Sequence, residues 1–174
     1  MEGIPTNSNK SIKILYLASL STLLFLFMLF GKSSRTNPVG ESLMDWLSIV
    51  PVLLIPLIVN LSLVKRIGLF LILAIPFTKL GMNWTHYSDL GPLVFIYYNV
   101  LIFLGIIISH FVLKRLSSLN NSKPIILSLS AIFVISIIFT TMKSYDGVQS
   151  FNKHVIYNNL LQCGNSISIE QFEK

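Results

Sequence analysis

The sequence predicts an all-α fold: a polytopic helical bundle in a membrane, with four full spans and a short third segment whose crossing would make five. Three observations carry this. Of the 174 residues, 53% are hydrophobic and 11% charged, against about 25% charged in an ordinary soluble domain. Mean hydropathy is +0.72. The apolar residues also gather into runs of membrane-crossing length, separated by short polar stretches. A water-soluble globule of this size cannot bury so much apolar surface, and a disordered chain has the opposite composition.

The chain divides into a polar N-terminal segment (1–11), a membrane domain (12–142) and a polar tail (143–174). The first run, 12–30, follows Lys10 and contains Lys13. A cleaved signal peptide ends in small residues of A-x-A type, whereas this run ends in Phe27, Met28, Leu29 and Phe30, so a retained helix is expected. The second run, 46–64, is long enough for a hydrocarbon core about 30 Å thick. Trp46 beside Asp45 suits an interfacial anchor. Pro51 and Pro56 are tolerated in lipid, where neighbouring helices re-satisfy the freed carbonyls, and a kink is expected.

The third segment, 67–84, is the weak one. Its clean apolar stretch covers about 11 residues before Pro76 and Lys79, a length that suits a re-entrant or interfacial segment. Lys79 snorkelling towards Trp84 would rescue a full crossing. Residues 93–113 form a strong span closed by Lys114 and Arg115, and Pro124 leads into the last, 125–142.

Basic residues in short loops orient such bundles. If all five segments cross with the N-terminus inside, Lys10, Lys13, Lys65, Arg66, Lys114, Arg115 and Lys123 face in. Lys32, Arg35, Lys79, Lys143 and Lys153 then face out, seven against five. If the third segment stays on one side, the ratio becomes eight against five and both termini are cytoplasmic. The difference is small, and the short apolar length of 67–84 tips the reading towards four spans.

Net charge is +6, but the basic residues punctuate the loops and form no patch, so direct nucleic-acid binding is not expected. Cys163 is the sole cysteine, which excludes an intramolecular disulfide and a multi-cysteine metal site. No nucleophile–base pair, phosphate loop or zinc-protease helix is present, so the chain is read as non-enzymatic, without cofactor or metal.

Three groups of residues stand out. His86 and Asp89, with Lys79, offer an interfacial polar site for a proton or half a metal site; the plainer reading is a solvated turn before Gly91 and Pro92. Asn99 and His110 lie in the fourth run, where polar groups usually bond to other helices. Gly105 and Ser109, four apart, give a small-residue face for close helix approach, within the bundle or between copies. In the tail, Phe151, Val155, Ile156, Leu160 and Cys163 follow helical spacing up to Gly164. Beyond it Ile167, Ile169 and Phe172 read as extended. Together these seven apolar residues apart from Cys163 make the tail a docking segment for a soluble partner protein.

In size, span number, basic charge and lack of catalytic motifs, the chain resembles two groups of small membrane proteins. One is the immunity proteins that protect producers of pore-forming bacteriocins. The other is the membrane subunit of Kiwa-type anti-phage defence systems. The second resemblance implies a homo-oligomeric, multi-pass protein of the bacterial inner membrane that senses through the bilayer and recruits a soluble cytosolic partner. The first implies binding of an incoming pore-former. A small transporter or channel subunit, or an intramembrane enzyme using Lys79, His86 or Asp89, is the remaining alternative.

Overall fold

The computed structural model describes residues 7–33, 35–85, 91–119 and 122–162. Its described residues form five helices: α1 (Asn7–Phe30), α2 (Pro38–Ile58), α3 (Leu63–Thr85), α4 (Gly91–Ser117) and α5 (Ser122–Gln162). Four of them, α1, α2, α4 and α5, are long and apolar enough to cross a membrane. The fold is the expected all-helical membrane bundle.

Two helices depart furthest from the hydropathy boundaries. α2 starts at Pro38, about two turns before the apolar run at 46, because the local chemistry favours a helix start there. The side chain of Asn37 accepts from the Gly40 amide at 3.0 Å, Pro38 sets the first helical residue and Glu41 lies in the first turn. α5 does not stop at 142. It runs 41 residues without a break, about 60 Å at 1.5 Å per residue, roughly twice a hydrocarbon core.

Inter-helix contacts give the direction of each helix. Lys13 of α1 donates to the Ile58 carbonyl at the end of α2, and Trp46 Nε1 donates to the Ser21 carbonyl at 3.3 Å, so α1 and α2 are antiparallel. The Ser19 hydroxyl donates to the Leu129 carbonyl at 3.1 Å, and Lys143 Nζ lies 5.1 Å from the Phe30 ring centre. α1 and α5 are therefore parallel. Tyr16 donates to the Ser109 hydroxyl at 2.9 Å, which sets the C-terminal half of α4 beside the N-terminal half of α1.

The second helix ends, and the fourth helix ends, at the N-terminal end of the bundle, so α3 must carry the chain to the other end. It is 23 residues long, about 34 Å, and its Phe70 packs on Phe103 of α4 with ring centres 5.9 Å apart. The shorter reading of 67–84 underestimated it because Leu63, Val64, Lys65 and Arg66 also belong to the helix. α3 thus runs the length of the bundle, although it is not among the four helices long and apolar enough to cross a membrane. Asn7 and Gln162 consequently lie at opposite ends of the bundle.

The core is a central seam of Leu17, Val52, Leu53, Leu57, Phe70, Ala74, Ile102 and Ile106 from α1 to α4. α5 packs on α1 at the edge, and most of its side chains from 123 to 142 face outward. In lipid such exposure carries no penalty, because hydrocarbon chains are as apolar as the side chains.

The α1–α2 loop is held by charge. Lys32 Nζ lies 2.9 Å from Asp45 and 3.3 Å from Glu41. Burial alone would lower the ammonium's pKa, but the hydrogen bond and charge of Asp45, reinforced by Glu41, outweigh it and the net shift is upward. A folded value above the ordinary 10.5 means the lysine's contribution is complete below that pH and is lost as pH rises through the folded value. Asp45→Asn should lower stability at neutral pH by about 1 kcal/mol. The thermal midpoint of the parent should fall towards that of Asp45→Asn only above pH 10.5; convergence of the two by pH 9 would refute the assignment.

Candidate functional site

The half of α5 beyond residue 142 is the feature with most surface to offer a partner. It is helical because the chain holds no proline after Pro124 and its one glycine, Gly147, is used for contact. A Cβ at Gly147 would stand 2.8 Å from Cγ and 3.3 Å from Cβ of Pro38, closer than real methyl groups pack. Gly147 therefore lets α5 lie against the first residue of α2, while Lys143 sits over Phe30 of α1. These contacts anchor the extension at its root.

Two faces follow. Gly147, Phe151, His154, Tyr157 and Leu160, three or four residues apart, are half-buried. Tyr145, Val148, Val155 and Ile156 form the opposite face and are 64%, 39%, 37% and 51% exposed. Their register of three, ten and eleven residues from Tyr145 is that of one helical stripe. A polar neighbour on this side adds an adaptable bond: Gln149 donates to the Tyr145 oxygen at 2.6 Å.

The tail residues read as a single stripe thus divide. Phe151 and Leu160 turn inward, Val155 and Ile156 outward. Tyr145 and Val148 were missed because the tail was taken to begin a new segment at 143; extending the helical register back from Val155 through Val148 finds both. Ile167, Ile169 and Phe172, with Cys163, lie outside the described residues.

The polar residues of α4 serve packing inside the bundle. A Cβ on Gly105 would meet Leu53 Cδ1 at 3.3 Å, so α2 approaches closely there. Ser109 is 3% exposed and takes the Tyr16 bond. The small-residue face is therefore used for packing within the chain. Asn99 is half-buried. His110 stacks edge-on to Phe111 with centres 5.5 Å apart, and its buried Nδ1 has no hydrogen-bond partner.

Lys79 lies within α3, in the half that leads towards the α1–α2 loop end. His86 and Asp89 lie outside the described residues. Among the described residues no three His, Cys, Asp or Glu side chains converge on a metal position.

Near the root of the extension, a cavity of about 260 Å³ opens between α1, α2 and α5. Trp46, Phe25, Ser21 and Thr140 are among its walls. Trp46 meets Phe25 edge-to-face at 6.4 Å, so the residue expected as an interfacial anchor also packs between α1 and α2. The Thr140 hydroxyl is buried there without a partner.

No family model, curated protein or solved structure matches this chain.

Proposed function

We propose that this chain is a non-enzymatic, multi-pass anchor of a bacterial inner membrane that holds a soluble partner protein on the outward face of α5. The observation that carries the reading is the continuous 41-residue helix, half of which extends past membrane-crossing length with Tyr145, Val148, Val155 and Ile156 facing outward. A helix face of this kind fits a groove on a partner. The outward stripe of α4, with Tyr97, Leu101, Leu104, Ile108 and Phe111, supports assembly of several copies in the plane of the membrane.

Charge supports an orientation. Lys10, Lys13, Lys65, Arg66, Lys114, Arg115 and Lys123 lie at the N-terminal end of the bundle, seven basic residues against Lys32, Arg35, Lys79, Lys143 and Lys153 at the other. The positive-inside preference puts the basic end in the cytosol. The α5 extension then faces the outer side, and its partner is an extracytoplasmic protein. Recruitment of a cytosolic effector, as a Kiwa-like role implies, needs the inverse orientation. Outer placement also favours a second reading, an immunity protein that meets a pore-former arriving from outside.

The docking reading is tested with full-length Val148→Asp/Ile156→Asp. Proteins captured by in-membrane crosslinking on the parent should fall at least about tenfold, because a buried unpaired charge costs several kcal/mol, while membrane insertion is unchanged. Equal capture by parent and variant would sink the proposal. Protection against a pore-former that survives deletion of 150–174 would select the immunity reading.

A further inference from the structure

At the opposite end of the molecule, the turn from α2 into α3 gathers positive charge that no described acid balances. Arg66 is 5% exposed. Its Nε donates to the Leu61 carbonyl at 3.0 Å and its Nη2 to the Val59 carbonyl at 3.5 Å. Nη1 is also buried and has no partner. Lys13 caps the same helix end through the Ile58 carbonyl, and both Lys13 and His110 lie within electrostatic reach of the guanidinium.

Capping of α2 explains part of this arrangement. The last carbonyls of a helix lack intrahelical partners, and its C-terminus carries roughly half a negative charge. Two full positive charges exceed that. The described acids, Glu41, Asp45 and Asp146, all sit at the far end of the bundle. A buried guanidinium without a counter-ion is strongly unfavourable, and none of the described acids reaches this one, which makes it a receptor for an external anion. Arginine presents its donors in a fork that matches two oxygens of a phosphate, and a lysine on a flexible stem adds a point charge.

We propose that Arg66 and Lys13, at the α2–α3 turn, form a binding site for a phosphate group, supplied by the headgroup of an anionic phospholipid. Arg66 Nη1 takes one phosphate oxygen while Nε and Nη2 keep the guanidinium fixed on the turn. Lys13, half-exposed at the rim, takes a second. Lys10, Lys65, Lys114 and Arg115 at the same end raise the local concentration of anionic lipid. This site is independent of the α5 docking surface.

The test uses the full-length protein in a neutral detergent, titrated with phosphatidylglycerol, phosphatidylcholine or inorganic phosphate, with thermal midpoint and retained lipid by native mass spectrometry as readouts. Phosphatidylglycerol should raise the midpoint saturably and remain bound, and phosphatidylcholine should do neither. Arg66→Gln should weaken the apparent affinity for phosphatidylglycerol at least tenfold. Should that variant not fold, Lys13→Gln at the rim should weaken it at least threefold. Inorganic phosphate reproducing the whole effect would support the phosphate site and assign it to a soluble anion. Equal response to the two lipids, or unchanged affinity in the folded variant, would overturn the proposal.

Discussion

Ser150→Pro should cut the α5 extension loose. Ser150 is exposed, so the substitution removes no packing and acts on the backbone alone. Proline there deletes the amide that bonds to the Asp146 carbonyl and drives its ring against that carbonyl, costing about 3 kcal/mol or more in a helix interior. The root contacts at Lys143 and Gly147 lie before the break and persist. Amides after 150 should therefore lose protection in hydrogen exchange while those of 125–142 keep theirs. Partner capture should fall with the lost register of Val155 and Ile156 against Tyr145 and Val148. Ser150→Ala, which favours a helix, should behave as the parent. Full protection beyond 150 in the proline variant would mean that the extension is held by contacts other than its own helical continuity.

Gly147→Leu should pry α5 from the bundle at its root. The first added carbon already falls 2.8 Å from Pro38 Cγ. Pro38 cannot swing aside, being a rigid ring, buried, and the first residue of α2. Overpacking of this kind costs about 1–3 kcal/mol, against a gain of about 1 kcal/mol from replacing glycine in a helix. The net for leucine is a loss, read as a lower thermal midpoint in detergent. For alanine the two terms nearly cancel. Pro38→Ala in the Gly147→Leu background should restore part of the loss, since the two changes act on one contact. A leucine variant as stable as the parent, with or without Pro38, would show that the contact does not hold the helix.

Periodicity and composition revealed the membrane bundle because lipid leaves a coarse mark: long apolar runs with charge only between them. They misjudged ends, where the decisive chemistry is local. α2 begins on an Asn–Pro cap that hydropathy does not register, and α3 gains a turn from Leu63 and Val64, which hydropathy gives to the preceding run, and from Lys65 and Arg66, which it gives to a loop. α5 continues past Met142 because nothing in Lys143–Asp146 stops a helix, although the polarity changes there. The role of Gly105 and Ser109 was half legible: spacing announced a close approach, and only the three-dimensional packing chose α2 and α1 as the neighbours. Arg66 was visible merely as a loop charge. Its burial against the end of α2 depends on how the α2–α3 turn folds, which no single-residue signal encodes.

The account turns on a bundle with its two described chain ends on opposite sides and the α5 extension away from the cytosol. The native chain carries one cysteine, Cys163, immediately after the last described residue of α5, so it is its own reporter. Intact cells treated with a membrane-impermeant maleimide should label Cys163 directly. Ser8→Cys in a Cys163→Ser background should label only after the membrane is permeabilised. Labelling of both positions under the same condition would contradict the helix directions. Cys163 protected with Ser8→Cys exposed would keep those directions but overturn the orientation, and with it the extracytoplasmic partner.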